Sequence, residues 1–307
     1  MKSGTTYLSD LLGAHPTVFM SQPKEPDHFV DHGTLRRKWP GAGKTDYRRR
    51  MDRYLSLFAG AGDATVIAEA SSSYSQLPLF TGVPERILAF NPEARFIYIM
   101  RDPVERTISH YWQRVRWGVE RRPMLSAIRV DSHYREVSHY ARQLNAYLQY
   151  VGLERFYILT FEALVADPVG QLSGLYAWLG IDPSFRPSGM EMPRNALPAV
   201  VDQVRGFGLL HRLSKAAIYR NVAPFIPRVA RRAASALARR PMRPAEIDAS
   251  AVEAFLRPEQ QSQTEELARL LNRSFTDWKT LYARRSSASR ACPESSIADH
   301  KPVTTDS

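Results

Sequence analysis

The chain has 307 residues, and its 42 lysines and arginines against 31 aspartates and glutamates give a formal net charge of +11. This length and a hydrophobic content of 44% suffice for one large α/β domain or two small ones, and the basic charge favours anionic ligands or surfaces. The single cysteine, Cys292, excludes an internal disulfide, and the sequence has neither a zinc-binding spacing nor a run of roughly 20 apolar residues. We therefore expect a cytoplasmic protein, with peripheral membrane association left open.

The first predicted element is a helix that begins directly after a small polar loop. Leu8, Leu11 and Leu12 share one face of this helix, which is predicted over residues 5–12. A loop that leads into a helix presents unpaired N–H groups and the positive end of the helix dipole, and together these bind phosphate. The candidate anion-binding residues are Lys2, Ser3, Gly4, Thr5 and Thr6. On its own, this motif is also compatible with an ordinary helix start.

A cluster of charged residues follows the short predicted strand 18–20. Glu25 lies shortly after that strand, at the sheet edge where a cleft is expected, so its carboxylate is a candidate general base for a hydroxyl group. His28 is the rival base, and both Lys24 and His28 are candidate substrate contacts. The alternative is a surface turn in which the charged groups are solvated.

Residues 31–63 are rich in glycine and arginine and are predicted to form a lid-like insertion that includes a helix at 47–58. The segment 65–69 is predicted to be a buried strand that ends in Glu69. Glu69 is either a second carboxylate in the cleft, in contact with substrate, or a structural hydrogen-bond acceptor for Tyr74.

The β-branched and aromatic run 95–100 predicts a strand that ends at Arg101, and a helix follows from Pro103. Open α/β sheets bind ligands at the carboxyl ends of their parallel strands, which makes Arg101 a candidate ligand contact. Ser109 lies two turns into the following helix, from where its hydroxyl can reach the same cleft.

The two motifs Lys-Ser-Gly-Thr-Thr and Arg-Asp-Pro-x-x-Arg-x-x-Ser-x-Tyr, in this order, resemble those of the sulfotransferases. Members of that family take sulfate from 3′-phosphoadenosine 5′-phosphosulfate (PAPS). The resemblance implies that residues 2–6 hold the 5′-phosphosulfate and that Arg101 and Ser109 hold the 3′-phosphate. It also implies that Lys2 is catalytic, because its charge stabilises the leaving phosphate.

The Lys-Glu-Pro segment at 24–26 is similar to that of the carbohydrate (heparan-sulfate-like) sulfotransferases. This implies that Glu25 is the general base and that the acceptor is a sugar hydroxyl. The inserted Asp27, and Ala70 and Ser72 in place of a lysine and a proline, depart from the family pattern and weaken the case for a heparan-type acceptor. We expect no metal and no nucleic-acid partner.

The resemblance implies an α/β three-layer sandwich with a central parallel sheet, which is the P-loop-nucleotide-kinase-like sulfotransferase fold. In the family a hydrophobic strand precedes the phosphate loop, whereas only Met1 precedes Lys2 here. The first strand is therefore expected to be missing, because the start is internal or the chain is truncated.

A single sulfotransferase domain is expected over 1–284, with its last helices at 251–256 and 259–272, followed by a disordered tail at 285–307. Residues 203–245 carry ten lysines and arginines and no acidic residue. They are predicted to form a basic helical insertion that is either solvated or docked on an anionic surface.

Two other functions are compatible with parts of the sequence. A nucleotide kinase or NTPase would bind phosphate at the same loop, although the Gly-x-x-x-x-Gly-Lys spacing and a Mg²⁺-binding aspartate at a strand end are missing. A polyanion-binding module without catalysis would account for the basic segment, but not for the combination of Lys2, Arg101 and Ser109.

Overall fold

The computed structural model of the chain describes residues 1–38, 50–190, 201–204, 239–242, 244 and 247–282. Strands and helices follow one another along residues 1–38 and 50–190, as in other α/β proteins. The α-helices are α1 (Thr5–Gly13), α2 (His32–Lys38), α3 (Met51–Ser56), α4 (Val83–Phe90), α5 (Pro103–Arg116), α6 (Met124–Val130), α7 (His133–Glu136), α8 (Tyr140–Leu148), α9 (Phe161–Ala166), α10 (Pro168–Leu179), α11 (Ser250–Leu271) and α12 (Lys279–Tyr282).

Four strands form two parallel pairs. β1 (Val18–Met20) pairs with β2 (Val66–Ala68), and β3 (Phe96–Met100) pairs with β4 (Phe156–Thr160). Among the residues that the structure describes, no strand is hydrogen-bonded to both pairs. The predicted parallel strand direction is confirmed, and the sheet is divided between β2 and β3.

Alternate residues of β3 face opposite layers of helices. Ile99 packs in a cluster with Leu12 of α1, whereas Met100 packs in a cluster with Trp112 of α5 and Leu256 of α11. Successive side chains of a strand point to opposite faces, so β3 lies between two helix layers, as a three-layer sandwich requires.

The segment 65–69 contains a strand, as predicted, but the prediction that this strand is buried is wrong. Ile67, at the centre of β2, is 54% exposed. The continuous apolar run at 66–68 is typical of a central parallel strand, which is covered on both faces. Here β2 is hydrogen-bonded to β1 alone among the described residues, and the side chain of Ile67 is left uncovered.

The start of α5 is fixed by Asp102, the residue after Arg101. The carboxylate of Asp102 accepts hydrogen bonds from two N–H groups of the first turn, at 3.0 and 3.2 Å, and Pro103 occupies the first helical position. Thr280 of α12 donates to the same carboxylate through its hydroxyl, at 2.5 Å, and its N–H, at 3.1 Å. These contacts hold Arg101 at the junction of β3 and α5.

The prediction of two separate helices at 251–256 and 259–272 is wrong, because α11 continues through Pro258 without a break. A proline inside a helix removes a hydrogen bond and costs about 3 kcal/mol. Leu256 and Leu267, on either side of that proline, are both buried in the core cluster around α5, and this packing offsets the cost.

The prediction that 203–245 is helical is wrong near both of its ends. β5 (Val201–Val204) and β6 (Arg239–Met242) form an antiparallel pair. Val201 is buried in the same core cluster as α5, which fixes β5 against the domain. Pro241 disfavours helical conformation in the residue before it, so the end of the predicted helix is available to pair as a strand.

Parts of three predictions lie outside the described residues. They are the stretch 39–49 of the lid-like insertion, the stretch 205–238 of the basic insertion, and the tail at 285–307. The described part of the lid contains α2 and α3, and α3 is shorter than the helix predicted at 47–58. Within the described residues, no helix combines the length and the apolar character needed to span a bilayer.

Candidate active site

The turn before α1 depends on Gly4. Its φ of +84° lies in the left-handed region that side chains disfavour, and an added Cβ would lie 2.4 Å from Cδ2 of Phe161. Lys2 also has a positive φ, of 66°. No side chain caps the start of α1, so the N–H groups of its first turn are suited to binding an anion.

We expect Gly4→Ala to lower both the melting temperature and the affinity for adenosine 3′,5′-bisphosphate, because its Cβ meets Phe161 and its φ becomes strained. A strained φ alone costs about 1–3 kcal/mol. Gly62→Ala is the matched control, since Gly62 has a φ of +51° but open space around it. Thermal unfolding and calorimetric titration measure both effects, and equal behaviour of the two variants would show that Phe161 does not restrict this position.

The side chains of Lys2 and Arg101 lie in the same region of the protein. Burial, followed by the positive charges of Arg101 and Arg116, lowers the pKa of the Lys2 ammonium group, whereas the Glu25 carboxylate raises it. Clustered cations repel one another, and an anion bound among them relieves that repulsion. The electrostatics of this region therefore favour an anionic ligand.

The phenol of Tyr140 links the loop before α1 to the end of β3. Its hydroxyl donates a hydrogen bond to the backbone carbonyl of Arg101, at 2.6 Å, and accepts one from the Arg101 N–H, at 3.3 Å. The buried side chain of Ser3 lies close enough to the same phenol to lower its pKa. Burial raises the pKa of Tyr140 to about 12, so the phenol keeps its proton and this link persists at neutral pH.

The guanidinium group of Arg101 is partly engaged within the protein. Its Nη2 donates to Oε2 of Glu105 at 2.5 Å, and its centre lies 5.2 Å from the centroid of the Phe161 ring. Its Nε is buried and has no hydrogen-bond partner within the described ranges. Ser109 is partly exposed two turns further along α5. The donors of Arg101 can therefore contribute to a ligand site.

Glu25 lies beside the loop because several contacts fix its position. Its backbone N–H donates to the carbonyl of Ala70 at 3.1 Å, and the Ser72 hydroxyl donates to Oε1 at 2.9 Å. Lys24 Nζ lies 3.4 Å from that oxygen and 3.5 Å from the Thr5 hydroxyl oxygen, so it connects the carboxylate to α1. The Glu25 side chain is 43% exposed and can be reached by a ligand.

Glu69 accepts hydrogen bonds from three hydroxyl groups. Tyr74 donates at 2.7 Å, Ser71 at 3.2 Å and Tyr54 at 3.3 Å. Burial raises the pKa of Glu69 to about 7, and the nearby Asp27 carboxylate adds to this, although the three donors oppose it. Of the two interpretations of Glu69, the structure favours the acceptor that holds Tyr74 in place.

The raised pKa of Glu69 predicts a pH dependence of stability. Its folded-state pKa of about 7 lies above the ordinary value of 4.5, so its contribution is fully present below pH 4.5 and is lost as the pH rises through 7. Relative to Glu69→Gln, the free energy of unfolding of the unmodified chain should fall by about 3 kcal/mol over this range. Denaturant unfolding at several pH values measures it. Glu93→Gln removes an exposed carboxylate, so its free energy of unfolding should depend on pH as that of the unmodified chain does. The prediction is wrong if Glu69→Gln shows that same pH dependence.

The ring of His28 packs against aromatic residues. It stacks on Tyr54 with 4.3 Å between the ring centroids, and its edge-to-face contact with Phe29 has a centroid separation of 5.0 Å. The backbone N–H of His28 donates to the Tyr74 hydroxyl at 3.1 Å. His28 therefore belongs to the same cluster as Glu69, and its role as a rival base stays a prediction.

Comparisons with known proteins agree with this arrangement of motifs. Residues 1–186 match the family described as the sulfotransferase family. This chain belongs to the sulfotransferase family. Human heparan sulfate glucosamine 3-O-sulfotransferase 6 is 30% identical over 192 residues, which cover 59% of this chain and 50% of that protein. Mouse heparan sulfate glucosamine 3-O-sulfotransferase 5 is 28% identical over 195 residues, which cover 59% and 51%.

This member of the sulfotransferase family spans about half the length of the curated relatives that it matches. The crystal structure of a sulfotransferase from Alicyclobacillus acidocaldarius is similar with a TM-score of 0.61 and 21% sequence identity, and the match covers 91% of this chain and 95% of that one. At this level of identity the likeness shows the fold, and it confirms the sulfotransferase fold predicted from the sequence.

Three residues that support the candidate active site were not predicted to do so. Tyr140 joins the two motifs, Phe161 fills the space beside Gly4, and Ser72 donates to Glu25. Tyr140 is buried at the start of α8, and no local sequence pattern indicates its partners. Within the described residues, no group of three or more His, Cys, Asp or Glu side chains is arranged to hold a metal ion.

Proposed function

We propose that this protein transfers the sulfuryl group of PAPS to a hydroxyl group of a carbohydrate. The observation that carries the proposal is the link through Tyr140 between Ser3 and Arg101, which joins two anion-binding motifs. A donor with a phosphosulfate at one end and a phosphate at the other needs two such sites close together. The clustered cations, the uncapped start of α1 and the buried Arg101 Nε fit that requirement.

In this proposal Lys2 and the loop residues 3–6 hold the 5′-phosphosulfate, and Arg101 and Ser109 hold the 3′-phosphate. PAPS supplies the activated sulfuryl group, and the protein supplies positioned charges and N–H dipoles. Such groups stabilise the negative charge that develops on the leaving phosphate, which is commonly the largest contribution to catalysis. Lys2 is the cation of the loop itself, and the nearby positive charges of Arg101 and Arg116 add to the attraction for an anion there.

Glu25 accepts the proton of the acceptor hydroxyl as that oxygen forms its bond to sulfur. Its carboxylate is exposed enough for a sugar to approach, and the hydrogen bond from Ser72 and the contact with Lys24 orient it. A base held at a fixed place near a hydroxyl contributes about 10²–10⁴-fold to a rate. The products are a sulfate ester and adenosine 3′,5′-bisphosphate.

The acceptor class is proposed from the relatives, which are named as heparan sulfate glucosamine 3-O-sulfotransferases. Glu25 matches the base of the carbohydrate sulfotransferases that the chain resembles. Ala70, in contrast, stands where those proteins have a lysine for sulfated glycans. We therefore propose a carbohydrate hydroxyl as the acceptor, without assigning it to heparan sulfate.

Transfer of labelled sulfate from PAPS to a panel of carbohydrates tests the proposal. We expect label in a carbohydrate product without added Mg²⁺, and loss of that label in Glu25→Gln. Hydrolysis of ATP, or phosphate transfer that requires Mg²⁺, with no sulfate transfer to any acceptor would contradict the proposal and favour a nucleotide kinase or NTPase.

A further inference from the structure

The segment 70–74, which follows β2, lies beside the segment 25–29 that carries the proposed base. The backbone carbonyl of Ala70 accepts a hydrogen bond from the Glu25 N–H at 3.1 Å. The Tyr74 hydroxyl accepts bonds from the N–H groups of His28, at 3.1 Å, and Phe29, at 3.4 Å. The three serines between Ala70 and Tyr74 also bond to this segment, so each residue of 70–74 contributes one contact or more.

Two of these serines hold Asp27 by its backbone and by its side chain. The Asp27 N–H donates to the Ser71 hydroxyl oxygen at 3.0 Å, and the Ser73 hydroxyl donates to Oδ1 of Asp27 at 2.6 Å. Asp27 and Ser73 are only 7% and 5% exposed. A hydrogen bond shielded from water is stronger than one in solvent, so this buried pair fixes the chain at residue 27.

The backbone between Glu25 and Asp27 has an unusual conformation. Glu25 has a φ of +60° and Asp27 a φ of +51°, both in the left-handed region. Aspartate tolerates this region better than most residues, whereas glutamate has no such preference. Pro26, whose ring fixes its φ, joins the two residues. A left-handed residue of this kind persists only where its surroundings fix it, so Glu25 depends on the contacts on either side of it.

The direction of the Glu25 side chain depends on this backbone conformation. The side chain is 43% exposed, so packing alone does not hold it. The Ser72 hydroxyl donates to Oε1 at 2.9 Å and orients the carboxylate, but it does not set the Cα–Cβ direction. A return of Glu25 to an ordinary negative φ would turn that bond and move the carboxylate.

We propose that Asp27 and Ser73 are positioning residues for Glu25, because the bond between them fixes the backbone at 25–27 and so directs the Glu25 carboxylate to the acceptor hydroxyl. This inference rests on the proposed function, in which Glu25 is the base. The family resemblance does not imply this pair, since Asp27 is inserted relative to the family pattern. A misplacement of about 1 Å in a reacting group can lower a rate about 10²-fold.

Substitutions at Asp27 test the pair through the rate of labelled sulfate transfer from PAPS to the carbohydrate panel. We expect Asp27→Ala to lower kcat by about tenfold or more and to keep the affinity for adenosine 3′,5′-bisphosphate. Asp27→Asn should keep most of the rate, because asparagine tolerates a left-handed φ and its amide oxygen accepts the bond from Ser73.

Ser73→Ala removes the same hydrogen bond without changing residue 27, and we expect it to lower kcat in the same way. Ser250→Ala is the control, since the Ser250 hydroxyl donates to Asp248, at 2.9 Å, at an exposed site in another part of the chain. The full rate in both Asp27→Ala and Ser73→Ala would overturn the proposal.

A double-mutant cycle with Glu25→Gln separates positioning of the base from a general structural effect. If Asp27 acts through Glu25, Asp27→Ala should lower the rate little further in a chain that already carries Glu25→Gln. Fully additive losses would show that Asp27 acts elsewhere and would overturn the proposal.

Hydrogen exchange measures the backbone of this segment without any sulfate transfer. We expect the N–H groups of Glu25 and His28 to exchange about tenfold or more faster in Asp27→Ala than in the unmodified chain or in Asp27→Asn. Unchanged exchange would overturn the proposal whatever the rates are. An unmodified chain that transfers no sulfate would instead contradict the proposed function, so the two fail separately.

Discussion

Lys2→Ala is expected to lower turnover with PAPS by about 10²–10³-fold and to weaken binding of adenosine 3′,5′-bisphosphate by about tenfold or more. Burial and the positive charges of Arg101 and Arg116 lower the pKa of Lys2, and an anion bound beside Lys2 favours its charged form. Its loss affects both the bound nucleotide and the leaving phosphate. Steady-state rates and calorimetric titration measure the two effects.

Lys38→Ala is the matched control for that variant. Lys38 is also partly buried, but its partner is Asp131, at 3.2 Å. We expect Lys38→Ala to leave the nucleotide affinity unchanged. If Lys2→Ala keeps the affinity of the unmodified chain, the loop before α1 does not hold the phosphosulfate and the proposed donor site is wrong.

Glu25→Gln is expected to lower turnover by about 10²–10⁴-fold with little change in nucleotide affinity, because it removes the base and keeps the size of the side chain. The amide can still accept the hydrogen bond from Ser72. Rates under saturating PAPS and binding of adenosine 3′,5′-bisphosphate separate the two quantities.

Glu85→Gln serves as its control, since Glu85 bonds to the hydroxyl of Tyr150 at an exposed site. We expect that variant to keep the full rate. A near-normal rate in Glu25→Gln would show that the base lies elsewhere, and His28, the rival candidate, would then be substituted in the same assay.

Local sequence patterns predicted most of the elements that position the site. The leucine spacing gave α1, the β-branched run before Arg101 gave β3, and Pro103 marked the first turn of α5. These features depend on residues that are neighbours along the chain. These local patterns also predicted the order of strands and helices and the position of Arg101 at the carboxyl end of β3.

The features that were predicted wrongly depend on contacts between distant parts of the chain. The apolar sequence of its strand predicts that Ile67 is buried. Ile67 is exposed because β2 pairs with β1 alone among the described residues. Pro258 favours a break between two helices, but the packing of α11 against the core offsets the cost of a proline inside the helix. Neither effect has a signal within a short window of sequence.

The supporting contacts of the site were beyond prediction for the same reason. Tyr140 and Arg101 are 39 positions apart, and Ser72 and Glu25 are 47 apart. Their hydrogen bonds require that the fold bring these positions together. The reacting groups are recognised from their motifs, whereas the residues that orient them are seen only in the structure.

The central claim is that the loop at Lys2 and the strand end at Arg101 hold the two ends of one nucleotide. Titration of the unmodified chain and of Arg101→Ala with adenosine 3′,5′-bisphosphate and with adenosine 5′-monophosphate tests it most directly. We expect the unmodified chain to prefer the bisphosphate by about tenfold or more, and Arg101→Ala to bind both ligands equally. An equal preference for the bisphosphate in the two proteins would contradict the claim.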